Sequence, residues 1–162
     1  MSEQVEIVRA GVERIPEFEP LWRALFERHA KKGAALGPLL AFEESWRRRR
    51  AFYEQELQRD GAFALLAERG GQVIGYSVIR LAPGSDTWVM DDPVPVIESL
   101  AVLPDERGTG VGASLLRRAK DDLREAGFAT VRLEVLVGND GARRLYEREG
   151  FIARFTDMAA RL

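Results

Sequence analysis

"SLAVLPDERGTGVGASLLRRA" runs from Ser99 to Ala119, and the fold turns on how its middle is read. An apolar strand, Val94 to Leu103, leads into it. Pro104-Asp105 then turns the chain, and Gly108, Gly110 and Gly112 fall within five residues. Glycine loses more backbone freedom on folding than any other residue, so a cluster needs a local reason. Beyond it, Val111, Leu115, Ala119 and Leu123 recur every fourth residue, with Leu116 and Ala126 beside them. That spacing is one buried face of a helix. Lys120, Asp121, Arg124 and Glu125 cover its outer side, and Gly127 stands where a C-terminal cap glycine belongs. A helix start leaves N–H groups unpaired at the positive end of its dipole, a natural seat for phosphate oxygens. Glycines allow close approach, and Arg107 adds a charged donor. The same residues also read as a turn with a tight helix–sheet contact.

Two nucleotide loops fail here. The mononucleotide loop needs Lys-Ser or Lys-Thr after its last glycine, but Ala113-Ser114 follows Gly112. The dinucleotide fingerprint needs Gly-x-Gly-x-x-Gly, and the spacing is Gly108-x-Gly110-x-Gly112. A pyrophosphate held by an arginine and a helix start stays open.

Upstream, Val5 to Arg9 alternates as a first strand. A helix is expected from about Glu17 to Lys32, with Leu21, Leu25 and Phe26 at helical spacing, broken by Gly33 and Gly37-Pro38. A second helix spans Glu43 to Gln58. Ala62 to Ala67, the turn Arg69-Gly70-Gly71-Gln72, and Val73 to Leu81 read as a β-hairpin. Pro83 to Pro95 is a loop. Downstream, Thr130 to Val137 is a strand rich in β-branched residues. Asn139 begins a helix ended by Gly150, and Phe151 to Leu162 supplies one or two last strands. The order β-α-α-β-β-β-α-β-α-β argues an α/β fold with mixed strand directions.

Composition narrows the chemistry. A chain of 162 residues, 46% hydrophobic and 31% charged, suits a single domain, 1–162, with a real core. A net charge of -2 gives no reason to expect nucleic acid or an anionic membrane as partner. With no cysteine and one histidine, His29, thiolate metal sites, multi-histidine cages and a cysteine nucleophile are excluded, and no metal is expected. The lack of cysteine fits a cytoplasmic setting. MSEQVEIVRA carries acids and no apolar core, so no secretory signal is expected, and no apolar run suggests a membrane span. Arg47 to Arg50 falls in a helix, where consecutive residues point around the circumference. It reads as a solvated, internally paired surface, with an anion site as the alternative.

The segment Val94 to Phe151 resembles the GNAT superfamily of acetyl-CoA-dependent N-acetyltransferases. Arg107-Gly108-Thr109-Gly110-Val111-Gly112 satisfies the family's Arg/Gln-x-x-Gly-x-Gly/Ala signature, and "NDGARRLYEREGF", Asn139 to Phe151, is similar to its later Asn…Ala…Leu-Tyr…Gly-Phe block. A helix and a strand separate the two, as in the family. The resemblance implies a central, mixed, mostly antiparallel sheet flanked by about four helices. It implies an acetyl-CoA co-substrate, a small-molecule or peptide amine acceptor, and room for a homodimer.

Residue roles follow from the same resemblance. Backbone groups of Leu100, Ala101 and Val102 would pair with the pantetheine arm as with an added strand. Their side chains also read as core. The pyrophosphate would lie on Arg107, Gly108, Thr109, Gly110, Val111, Gly112 and Ala113. Asn139 is an N-cap by its own chemistry; the family adds a contact to pantetheine. Tyr146 shares a helix face with Ala142 and Leu145 and reads as a core tyrosine. In the family it protonates the departing thiolate, a task a phenol can perform.

Glu98 stands in the apolar run Val94-Pro95-Val96-Ile97, where partial desolvation would raise its pKa and suit it as the base for an ammonium acceptor. An exposed glutamate or a substrate salt bridge is the other reading. The implied reaction is direct attack of the amine, with strand N–H groups stabilising the oxyanion. A non-catalytic acyl-CoA sensor of the same fold is the alternative function. Asp86, Asp91, Asp92 and Trp88, in the loop before the strand, read as a solvated loop with the tryptophan folded back on the core; the alternative is that they attract a cationic acceptor.

Overall fold

The sheet grows from the Gly70-Gly71 turn, where both residues have positive φ, 57° and 76°, as a two-residue hairpin of primed type requires. The computed structural model describes residues 3–32 and 37–162, so the expected break at Gly33 lies outside them. Strands β2 (Phe63–Arg69) and β3 (Gln72–Ala82) flank the turn. Strand β1 (Glu6–Ala10) lies antiparallel outside β2, and β4 (Val94–Val102) antiparallel outside β3. Strand β5 (Arg132–Leu133) lies parallel to β4, giving the sheet order β1-β2-β3-β4-β5.

Four α-helices among the described residues cover this mixed sheet. They are α1 (Glu19–Lys32), α2 (Phe42–Glu56), α3 (Val111–Glu125) and α4 (Asp140–Arg148), and a 3₁₀ segment, Val12–Phe18, precedes α1. Alternation along β2 divides the core. Phe63, Leu65 and Ala67 face α3 with Leu115, Leu116, Ala119 and Leu123. Ala64 and Leu66 face the opposite layer with Phe18, Leu21 and Tyr53. Both faces are covered, which is why β2 reads as an unbroken apolar run. Leu115 and Leu116 are fully buried, and truncating either to alanine is worth about 2–5 kcal/mol by the usual cost of a core cavity.

Helices α3 and α4 end alike. Gly127 and Gly150 take φ of 93° and 92°. Phe128 N–H reaches back to Leu123 O, and Phe151 N–H to Tyr146 O, the six-to-one bond of a Schellman ending.

Two expected strands differ. Thr130 to Val137 contracts to the two residues of β5, and Phe151 to Leu162 forms no strand. Pairing of β5 with β4 ends at Ile97, next to a bulge that bends β4. So short an edge gives the C-terminal stretch little to pair with. The 3₁₀ segment also takes the first residues expected of the first helix.

Candidate active site

The bulge in β4 organises the site. Ile79 pairs with Ile97 and Val78 with Ser99, so Glu98 is the extra residue. Both Glu98 and Ser99 consequently meet α2: Glu98 through Arg49, and Ser99 through a 2.5 Å hydrogen bond with the Tyr53 hydroxyl. Beyond the bulge, Leu100 and Val102 pack on the α3 side and Ala101 on the other. β5 pairs only with Val96 and Ile97. From Glu98 to Val102 the outer edge of β4 therefore has no strand beside it among the described residues.

That edge leads into the glycine loop. Gly108 and Gly110 have φ of 78° and 91°, and a Cβ built on either would meet nothing within 4 Å. Their role is conformation and access, not packing. The close helix–sheet contact belongs to Gly75, whose added Cβ would lie 3.1 Å from Leu115 and 3.2 Å from the Ala101 carbonyl. Gly110 is the N-cap of α3 and offers no side chain to it. The N–H groups of Val111, Gly112 and Ala113 thus open the helix without a side-chain cap. Thr109 Oγ1 donates to the Glu106 carbonyl over 2.6 Å and fixes the turn. Arg107 is exposed along most of its length, but its guanidinium end sits in a part-buried contact, one N–H 3.4 Å from the Ala24 carbonyl. Partial burial and the like charge of Arg28 lower its pKa, so two cations share this end of the cleft.

Helix α4 closes the same cleft. Asn139 is its N-cap: Oδ1 accepts from Ala142 N–H at 3.5 Å and, more tightly, from Arg28 Nε at 3.0 Å. Tyr146 is partly buried against the α3-side core and packs on Phe151 with ring centroids 6.1 Å apart. Burial pushes its phenol up to about 12, while the Arg28 charge pulls the other way.

On the α2 side, Glu98 does not sit alone in an apolar run. Its Oε1 accepts from Arg49 Nη1 at 3.0 Å and its Oε2 from Arg80 Nε at 2.7 Å. Arg49 lies over the Trp22 ring at 4.3 Å. Trp22, Arg49 and Glu98, together with Ser45, Arg48 and Phe52, wall an open cavity of about 360 Å³. Arg47, Arg48 and Arg50 do pair with Glu44 and Glu54 on the helix surface. Arg49 does not. The signal lay in its phase: Ser45, Arg49, Tyr53 and Glu56 recur at helical spacing, and the other three are buried.

The loop carboxylates are largely engaged elsewhere. Asp91 Oδ2 accepts from Ala129 N–H, Thr130 N–H and the Thr130 hydroxyl, at 3.0, 2.6 and 2.6 Å. Asp92 accepts from Gly84 N–H at 3.0 Å and Asp86 from the Thr87 hydroxyl at 2.9 Å. Trp88 packs on Phe155 and lies beneath Arg154, lining a separate cavity.

The chain is similar to known proteins in sequence and fold. The pattern of the Acetyltransferase (GNAT) family matches residues 22–151. A mycothiol acetyltransferase from Thermobispora bispora is 32% identical over 157 residues, covering 91% of this chain and 49% of that protein. An aminoalkylphosphonate N-acetyltransferase from Salmonella typhimurium is 32% identical over 88 residues, 53% of this chain and 54% of its own. The chain spans about half the length of these curated relatives. In fold it is similar to the aminoglycoside N-acetyltransferase AAC(6')-Iy, solved with CoA, at a TM-score of 0.75 and 18% identity over 100% of this chain and 97% of that one. On the family match across most of its length, the chain belongs to the GNAT acetyltransferase family.

Proposed function

We propose that residues 1–162 form one N-acetyltransferase domain that moves an acetyl group from acetyl-CoA to an amine. The observation that carries this is the junction of an unpaired β4 edge, Glu98 to Val102, with the uncapped start of α3. An extended amide-bearing arm adds to such an edge by main-chain hydrogen bonds at Leu100, Ala101 and Val102. A pyrophosphate at its end meets the N–H groups of Val111, Gly112 and Ala113 at the positive end of the dipole. Gly108 and Gly110 leave room for it. Arg107 and Arg28, which raise each other's electrostatic energy, gain a counter-charge.

The chemistry asks little more. A neutral amine attacks the thioester carbonyl, strand N–H groups take the developing oxyanion, and the thiolate leaves. Tyr146 stays protonated over the whole working range, since its phenol titrates near 12. Complete proton transfer from so raised a phenol to a thiolate of ordinary pKa is uphill. Tyr146 therefore acts as a hydrogen-bond donor that stabilises the leaving sulfur. Each Glu98 oxygen accepts one arginine N–H and keeps a lone pair for a water that relays the ammonium proton to the carboxylate, which becomes the carboxylic acid. Acceptors in the family range from small amines, as the name aminoalkylphosphonate N-acetyltransferase states for one relative, to peptides. A cytoplasmic setting belongs to this reading, supported by a sequence without cysteine.

The test is an acceptor screen that follows CoA release and confirms an N-acetyl product by mass. Tight acetyl-CoA binding without turnover on any amine would favour the sensor reading instead.

A further inference from the structure

The cavity beside Glu98 has a sign. A lone carboxylate at its floor would draw an ammonium group. Here that carboxylate lies between two guanidinium groups, Arg49 and Arg80, one on each oxygen. Arg48 is at the rim, tied to Glu44, which Arg47 already holds through two bonds of 2.7 and 2.8 Å. Arg48 and Arg49 face one carboxylate, Glu98, among the residues that line the cavity, a surplus of one positive charge, and Arg80 adds a second guanidinium on Glu98.

The surplus is held in place. Side chains of Arg49 and Arg80 are only 26% and 27% exposed, and Arg49 is stacked on Trp22, so neither can leave for solvent without losing contacts. Among the described residues, their hydrogen bonds to Glu98 engage Nη1 of Arg49 and Nε of Arg80. A guanidinium carries five N–H donors, so most remain for a ligand. His29 adds no charge at neutral pH, because burial and the charges of Arg49 and Arg28 lower its pKa. Of the carboxylates that favoured a cationic acceptor, Asp86 lines the other cavity, while Asp91 and Asp92 are bonded to backbone N–H groups.

We propose that the acceptor is an amine that also carries an anionic oxyacid group, a carboxylate or a phosphonate, which Arg49 and Arg48 bind while Glu98 faces the amine. The proposal rests on the acetyltransferase reading, because that reading makes this cavity the acceptor side. Oxyacid and guanidinium match in geometry as well as charge, through paired N–H···O bonds. The clamp also explains how an amine and a carboxylate base meet without the base capturing every passing cation: only an acceptor bringing its own negative charge is drawn past the arginines.

The experiment is calorimetry on protein saturated with CoA, titrated with three probes of one length: an ω-amino acid, its carboxamide and the corresponding diamine. The amino acid should bind at least tenfold more tightly than either. In Arg49→Met that preference should vanish with CoA affinity unchanged. Arg49→Lys should keep part of it and serves should the methionine variant not fold. Equal binding of all three, preference for the diamine, or no binding of any probe overturns the proposal. If CoA itself does not bind, the acetyltransferase reading fails, and the same titration without CoA still decides whether the cavity prefers the anionic probe.

Discussion

Arg28 on α1 donates its Nε to Oδ1 of Asn139, the N-cap of α4, over 3.0 Å across 111 positions of sequence. The bond joins the two sides of the cleft above the β4 edge. It also brings a guanidinium close enough to Tyr146 and Arg107 to act on the titration of both. Truncating the two partners should therefore give different results. Asn139→Ala removes a helix cap and should cost about 1 kcal/mol of stability. Arg28→Met leaves the cap's bond to Ala142 and should weaken CoA binding about tenfold, the scale of one charge-assisted hydrogen bond. Thermal melts and calorimetry on both variants separate the effects.

Tyr146→Phe keeps the packing on Phe151 and removes the donor. Turnover should fall roughly 10- to 100-fold, the worth of one hydrogen bond to a charged leaving group, while CoA affinity barely moves. With its phenol near 12, Tyr146 should contribute no alkaline limb to the wild-type rate profile below about pH 10. Wild-type turnover by the phenylalanine variant would return Tyr146 to a packing role.

Glu98→Gln removes the proton acceptor and leaves Arg49 and Arg80 without their counter-charge. The rate should drop most at low pH and recover in part at high pH, where the amine loses its proton unaided. A profile of unchanged shape would mean that another group accepts the proton.

His29 sets a pH dependence of stability. Burial, then the charges of Arg49 and Arg28, place its folded pKa below the free value of 6.5. The unfolded chain then binds the proton more readily. The contribution is complete above pH 6.5 and is lost as pH falls through and below that value. Melting temperature should decline from pH 7 to about 5, and His29→Gln should flatten that decline. Parallel curves for the two proteins would remove His29 from the account.

What could be read from sequence followed periodicity and spacing. The α3 face repeats every fourth residue, the hairpin turn is a glycine pair, and the two family blocks stand in the expected order, so the fold and the glycine loop that opens α3 are legible. Glu98 was singled out correctly as a residue of the strand, but not its setting. A bulge leaves no mark in the hydrophobic pattern, and only the bulge turns Glu98 and Ser99 toward α2 together. Arg49 was hidden among four arginines because charge alone does not say which one shares a helix face with Tyr53. The β5 strand is shorter than its sequence suggests and the C-terminal stretch forms none, because β-branched residues report a propensity, whereas a strand needs an edge to pair with.

The measurement closest to the central claim is calorimetric titration of acetyl-CoA into wild type, Gly110→Ala and Gly110→Glu. Both substitutions place an L side chain at φ 91°, so the alanine variant carries the same backbone strain without the charge. The account predicts micromolar or tighter binding by the wild type. The alanine variant should stay within a few-fold of it, and binding should be lost in Gly110→Glu, whose carboxylate would occupy the mouth of the α3 N-terminus. Equal affinity in all three folded proteins would contradict it, because the pyrophosphate would then have to lie somewhere other than the start of α3.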